Sequence, residues 1–407
     1  MAVLTALSAV YTAVTAYLGK LHAPYGLPLL WYDGIGGDFN VFGPGFRHFG
    51  RPDFWQSFDY PFTYPAPLGV VFAVLYRSAH PLRWYESLLC LAAGMGAWLF
   101  VRELARRGVA PAMAWAFALT TLAMTWPLLF EFDTANSEGI VVIVLATGLT
   151  AILKDRWWLG CALVGVAGAM KIFPLVLLAL ALSRRRYKEF VFGIVVASVA
   201  MLASLAYLGP SIVEAQRNID AGLALVQDRY FFSMLRVAPA FDHSLWMPVR
   251  FAAVSLDRIL HPMPAAQRAA RTLQVLRIGL HGYLLVCACG GVALYLLRIR
   301  RLPMLNQILA LTVCALLLPP LSLEYTLLHL LLPFALLATY AVEMERRGDR
   351  AKGLAACLAC FVVLFNADSF LNHRYVFASE ARLLALAVLL FLVLRYRFQP
   401  PAPEASS

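Results

Sequence analysis

The chain has 407 residues, of which 61% are hydrophobic and 14% charged, with a mean hydropathy of +0.71 and a net charge of +11. Soluble domains carry roughly 25% charged residues, so a soluble enzyme is excluded and the composition reads as an all-α, polytopic helical membrane protein. A β-barrel is excluded because the apolar runs are continuous and near helix-spanning length rather than short and alternating.

The first twenty residues, MAVLTALSAVYTAVTAYLGK, lack a basic leader region and a small-residue cleavage site, and read as an uncleaved first span. A loop of some forty residues follows, about 21–62, containing Asp33, Asp38, Arg47, Arg51 and many aromatics. Two spans need only a short hairpin between them, so this loop suggests a site at the membrane surface. Further apolar runs lie near 64–80, 84–101, 111–130, 137–153, 157–183, 189–208, 273–297, 303–320, 324–343, 352–368 and 380–397. With the first, they make about twelve spans in a single integral-membrane domain over 1–398, followed by a disordered tail at 399–407. A second long hydrophilic segment occupies about 209–272. The cysteines sit within apolar runs and read as small core hydrophobes, so neither disulfide nor metal is implied.

The basic residues cluster at the ends of apolar runs, which the positive-inside rule explains without nucleic acid. Clusters at 298–301, 346–352 and 395–397 belong in the cytoplasm, and the turns at 322–325 and 366–374 then lie outside. The N-terminal half is less regular, because simple alternation puts Arg102, Arg106 and Arg107 outside. Either 64–80 is not a full span, or 157–183 is a short hairpin bent at Lys171-Ile172-Phe173-Pro174. In both cases the two long loops share the non-cytoplasmic side.

Asp38, in GIGGDFNVF, is the first candidate for chemistry. A carboxylate near a membrane mouth deprotonates a hydroxyl as a general base; the plainer reading is a solvated aspartate or helix cap. Asp33 has the stronger claim to that plainer reading, and Asp53 and Asp59 read as surface residues or caps. Lys171 interrupts the run LVGVAGAMKIFPLVLLALAL, at a cost on the order of 3 kcal/mol on insertion scales. It either lines a polar cavity opened by Pro174 and holds a phosphate, or snorkels to the interface. Glu131, Asp133 and Glu138 read as an acidic outer cap, and His329, on a leucine-rich face, as a satisfied core histidine. Asp242, His243 and Ser244 lie beside Trp246, downstream of Arg229 and Arg236, and read as either a substrate-contacting loop or plain loop structure. Adjacent residues do not make a hydrolytic triad. Glu324 and Tyr325 follow a double proline at an outer membrane edge. No Walker loop, dinucleotide fingerprint or metal-type histidine pair is present.

Together these landmarks resemble glycosyltransferase family 87, of the polytopic GT-C superfamily that uses polyprenyl-phosphate sugars. The family's loop aspartate and aromatic-Tyr-Pro-Pro element correspond to Asp38 and Thr63-Tyr64-Pro65-Ala66-Pro67, with one proline displaced by Ala66. Its Lys-x-x-Pro pattern, followed by leucines and arginines, is matched by Lys171, Pro174, Arg184, Arg185 and Arg186. An Asn-Gln-Ser-Leu element finds only the variant Asp242-His243-Ser244-Leu245. The Ser-Trp-x-His element of a late outer turn is replaced by Ser322-Leu323-Glu324-Tyr325, without the histidine.

The resemblance implies transfer of a hexose such as mannose from a polyprenyl-phosphate sugar to a hydroxyl of a lipid-linked or cell-envelope acceptor. It places the enzyme in the cell membrane as a multi-pass protein with an extracytoplasmic site. Asp38 is then the base of an inverting reaction. Lys171, Arg47 and Arg236 hold the donor phosphate, and Asp33, Tyr64, Asp242, His243, Ser244 and Glu324 contact substrate. No cofactor or metal is expected, and the partners are donor, acceptor and membrane lipids. A transporter or lipid flippase is the alternative, and would more often carry internal repeats, none of which is visible. A second GT-C lineage, acting on protein or lipid A, carries adjacent acidic residues in its first loop, whereas here they are five apart. A non-catalytic assembly factor is a third possibility.

Overall fold

The computed structural model describes residues 36–228, 232, 242–262, 264–349, 351–365 and 378–398. The expected first span, Asp33, Arg229, Arg236 and the tail lie outside them. The described residues form helices α1 (Gly37–Asn40), α2 (Gly43–Arg47), α3 (Ala66–Leu75), α4 (Pro81–Arg106), α5 (Pro111–Met124), α6 (Trp126–Thr134), α7 (Glu138–Leu153), α8 (Trp157–Met170), α9 (Ala179–Ser183), α10 (Tyr187–Leu208), α11 (Ile212–Val226), α12 (Trp246–Leu260), α13 (Ala265–Leu297), α14 (Met304–Leu317), α15 (Leu331–Arg346), α16 (Leu354–Leu364) and α17 (Ala378–Arg395). Among the described residues, four stretches are long and apolar enough to cross a membrane: Pro81–Arg106, Tyr187–Leu208, Gln267–Arg301 and Glu324–Arg346. A fifth would be the pair α5 and α6, which meet at 54°; Pro127 lies in the first turn of α6, where a missing N–H is tolerated. The remaining apolar helices are shorter. The chain is an all-α, polytopic membrane protein.

Both alternatives raised for the N-terminal half are present. Helix α3 has ten residues, about 15 Å at 1.5 Å per residue, which is half the thickness of a hydrocarbon core. The segment 157–183 is a hairpin. Helix α8 stops at Lys171, whose backbone is extended (φ −147°, ψ 134°), and a 3-10 turn over Phe173–Leu178 leads into α9. The two ends meet again, with Arg186 3.8 Å from Asp155 and stacked over Trp157.

These turns sort the charges. Arg107 reaches Glu343 at 3.2 Å, Ser183 donates to Gln307 at 2.6 Å, and Arg298 donates to the Leu394 carbonyl at 2.8 Å. Such contacts gather the ends near Arg107, Arg186, Arg298, Arg346 and Arg395 at one end of the bundle. Asp38, the α6–α7 turn, Lys171 and the 322–330 turn meet at the other.

The described part of the first loop, from Gly36 onward, is packed rather than loose. Phe39 of α1, Phe42 between the two helices and Phe46 of α2 are buried against Phe62 and Phe72, and Tyr76 donates to the Phe39 carbonyl at 3.0 Å. Its start is fixed by Gly36, which has φ +86°, a region open to glycine at little cost; the Gly36 N–H donates to the Asp133 carbonyl at 2.7 Å. The second hydrophilic segment contains α11 and α12. Among the cysteines, all of which are free, Cys161, Cys314, Cys357 and Cys360 are buried, whereas Cys90 and Cys289 are exposed.

Helices α8 and α10 cross on glycines. A Cβ on Gly165 would lie 2.3 Å from the Gly193 carbonyl oxygen, and one on Gly193 2.9 Å from the Cys161 oxygen. Backbone cannot yield as a side chain can, so Gly165→Ala should cost about 1–3 kcal/mol and lower the thermal unfolding midpoint in detergent. Gly94→Ala, on a helix face with open space, should leave it unchanged or raise it.

Candidate active site

The chain around Asp38 leaves it few choices. Gly36 on one side is tied to α6, and Phe39 on the other is fully buried, so the carboxylate between them faces the α6–α7 turn. There Asn136 Nδ2 donates to Asp38 Oδ2 at 2.8 Å and to the Tyr64 hydroxyl at 3.1 Å. The same amide accepts through Oδ1 from the Glu138 N–H at 3.0 Å and from Lys171 Nζ at 3.5 Å. Asp38 keeps part of its surface open. Burial pushes its carboxyl above the ordinary range, against the opposing pull of the Asn136 hydrogen bond and the Lys171 charge.

Lys171 is not left alone. Its ammonium pairs with Glu138 Oε2 and stands 5.3 Å from the Tyr64 ring and 5.1 Å from the Tyr325 ring, where an aromatic face attracts a cation. Its side chain retains 14% exposure, while Glu138 has none. The other Glu138 oxygen bonds His329 Nε2, and the His329 ring packs edge-on against Phe173. His329 is buried as expected but only half satisfied: Nε2 bonds the glutamate that holds Lys171, while Nδ1 has no hydrogen-bond partner among the described residues.

Glu131, Asp133 and Glu138, expected as an acidic outer cap, are all three buried. Glu131 Oε1 accepts from Tyr85 at 2.6 Å and from the Gly139 N–H at 3.0 Å.

A second cluster braces the turn that carries Tyr325 and His329. Asp242 pairs in antiparallel fashion with Leu323, and its Oδ1 accepts from the N–H groups of Ser244 and Ser322 at 3.0 and 3.1 Å. His243 Nε2 lies 2.9 Å from Ser322 Oγ. Burial, then the nearby Arg382 charge, pushes the His243 imidazole down to about 3, so it is neutral. Asp242, His243 and Ser244 are fully enclosed and hold two loop segments together rather than facing a cleft. Glu324 is likewise enclosed, accepting from Arg382 at 2.9 Å and from the Trp126 indole. Arg47 is exposed on α2, near enough to the Tyr76 hydroxyl to oppose its upward shift. Of the residues expected in the site, the structure therefore brings Asp38, Lys171 and Tyr64 together around one amide. It adds Asn136, Glu138 and His329, and it ties Glu324 to Arg382.

The sequence model of glycosyltransferase family 87 matches residues 62–323, well over half the chain. The chain belongs to glycosyltransferase family 87. The matched stretch contains Tyr64, Asn136, Glu138, Lys171 and the Asp242–Ser322 contact, and stops short of Glu324 and His329. The chain is also similar to a polyprenol-phosphate-mannose-dependent alpha-(1-2)-phosphatidylinositol pentamannoside mannosyltransferase of Mycobacterium tuberculosis (strain CDC 1551 / Oshkosh), with 31% identity over 158 residues. That stretch is 38% of this chain and 35% of the relative, so the match spans about a third of the relative's length. No solved structure matches the chain.

Removing one member of a buried ion pair strands the other. Arg382→Met should therefore destabilise this family 87 protein by about 3–5 kcal/mol. Adding Glu324→Gln, which removes the stranded charge, should recover most of the loss in thermal unfolding of the double variant.

Proposed function

We propose that the protein is a membrane mannosyltransferase that takes mannose from a polyprenyl phosphate and passes it to a hydroxyl of a lipid-linked acceptor. The observation that carries this reading is that one amide, Asn136, contacts both a carboxylate and an ammonium. Such a pair supplies the two things this transfer needs, a base for the acceptor and positive charge for the departing phosphate. Family membership and the printed activity of the mycobacterial relative support donor and acceptor class.

In this reaction Asp38 takes the acceptor proton as the hydroxyl oxygen bonds to the anomeric carbon. The bond from that carbon to the phosphate oxygen breaks, and the electron pair leaves with the polyprenyl phosphate. Lys171 turns from Glu138 toward the phosphate as its charge grows, with Glu138 remaining on His329. A single direct displacement inverts the anomeric carbon. Arg47, exposed beside the loop, is a further candidate for the phosphate.

The site belongs on the extracytoplasmic face of the cell membrane. The supporting argument is electrostatic: the arginine-rich ends of the helices lie opposite the site, and short basic segments stay in the cytoplasm. On a background lacking Cys90 and Cys289, Arg217→Cys on α11 should react with an impermeant thiol reagent applied to intact cells. Arg346→Cys should react only after permeabilisation. The reverse pattern would place the site inside and sink the orientation.

Purified protein in lipid, given several radiolabelled polyprenyl-phosphate sugars and a membrane lipid extract, should yield a labelled glycolipid with the mannose donor. Asp38→Asn should cut turnover by about 10²–10⁴-fold without loss of folded protein. Lys171→Met leaves Glu138 without its ammonium, and should lower both stability and turnover. Adding Glu138→Gln should restore stability yet not turnover; recovery of both would assign Lys171 a purely structural role.

A further inference from the structure

The α6–α7 turn is built with more care than a two-helix connection needs. Helix α6 ends on Ala135 at φ +48°, a left-handed conformation uncommon for a residue with a side chain. The Ala135 N–H is held on the Glu131 carbonyl at 2.7 Å. The Tyr85 hydroxyl stands between Glu131 Oε1 and the Asn136 carbonyl, so the backbone of Asn136 is fixed from α4 as well. The result is an asparagine with 1% exposure whose amide is engaged at both ends. Its orientation is determined by chemistry. Oδ1 faces the Glu138 N–H, which can only donate, and Nδ2 faces a carboxylate oxygen, which when ionised can only accept. Turning the amide over would oppose donor to donor and acceptor to acceptor.

We propose that Asn136 is a positioning residue for the transfer reaction, one that binds a single oxygen of Asp38 and leaves the other directed at the acceptor hydroxyl. This rests on Asp38 being the base. The Asn136 hydrogen bond engages Oδ2 alone, and Asp38 is partly open, so the remaining oxygen is the one available to take a proton. Because the same amide accepts from Lys171, it also fixes the spacing between base and phosphate-binding cation. A near-attack arrangement depends on such spacing.

Lys171 and Tyr64 interact with Asp38; Glu131, Glu138 and Tyr85 lie about Tyr64 in turn, and Asp133 is bonded through its carbonyl to Gly36. Against burial, the Asn136 amide and Lys171 are the groups that favour the ionised form of Asp38. A base works when deprotonated, so activity rises with pH through its titration. Removing a donor to the carboxylate raises that titration and moves the acid limb to higher pH.

The test is kcat/KM against pH for the full chain in lipid nanodiscs, with polyprenyl-phosphate mannose and a membrane lipid extract. Asn136→Ala should move the acid limb up by about one to two pH units and lower kcat/KM at neutral pH at least tenfold, with partial recovery at higher pH. Asn136→Asp keeps the shape and the acceptor for Glu138 and Lys171, and guards against an alanine variant that does not fold. It sets a second carboxylate against Asp38, where both cannot readily ionise, so its limb should move further. A merely structural asparagine predicts less folded protein with the limb in place, and an unmoved limb in the folded variants overturns the proposal. Asp38→Asn, measured alongside, separates the two ideas. If it keeps turnover and the acid limb, the base has been misassigned; if it is inactive while the Asn136 variants keep the wild-type limb, only the role of Asn136 falls.

Discussion

A charge placed inside an apolar bundle must find a partner, and the pairing of Lys171 with Glu138 organises much of what surrounds it. An isolated ammonium there would cost several kcal/mol. The cost is met by ending α8 at that residue, so that the lysine stands at the apex of a hairpin rather than mid-helix. The partner opens α7, where a carboxylate is also favoured by the helix N-terminus. Glu138 in turn holds His329, and through it the 324–330 turn, so a single pair ties three segments that are distant in the chain. Two aromatic rings complete the surroundings of the ammonium.

The same constraint explains why polar groups occur in sets. Asp38 meets Asn136, Glu131 meets Tyr85 and Gly139, Glu324 meets Arg382 and Trp126, and Asp242 meets two backbone N–H groups. Each set lies near one end of the helices, where loops enter and backbone groups are free to donate. The opposite end is arginine-rich and more exposed. There the contacts cap helices and join their ends, and surface ion pairs of that kind add little stability. Chemistry and anchoring are thereby separated along the bundle axis.

In the proposed reaction, binding and catalysis make opposing demands on Lys171. It is paired with Glu138 in the resting protein, and a donor phosphate would have to compete with that carboxylate for it. His329, bonded to the other carboxylate oxygen, allows Glu138 to keep a partner when the lysine turns away. The 14% exposure of the lysine side chain, against none for the glutamate, gives the ammonium a direction in which to turn.

Sequence alone determined the class of protein, the positions of most apolar helices, and two of the residues that meet in the proposed site. Asp38 and Lys171 were legible because each breaks a local pattern, a carboxylate beyond a glycine run and a cation inside a span. The same reading left open whether 64–80 crosses or 157–183 turns back, and the structure contains both a short α3 and a bent hairpin. It took Glu131, Asp133 and Glu138 for an acidic outer cap, and gave Glu324 and Asp242-His243-Ser244 to substrate. Tertiary structure buried all of them and supplied partners for the side chains of Glu131, Glu138, Asp242, His243 and Glu324. Asn136 gave no signal, since an asparagine between two helices is what any turn would carry. The reason is one of distance: Glu138 and His329 are 191 residues apart, and Asp38 and Asn136 are 98 apart. The cost of a buried polar group is written locally in the chain, but the residue that offsets it is chosen by how the helices pack.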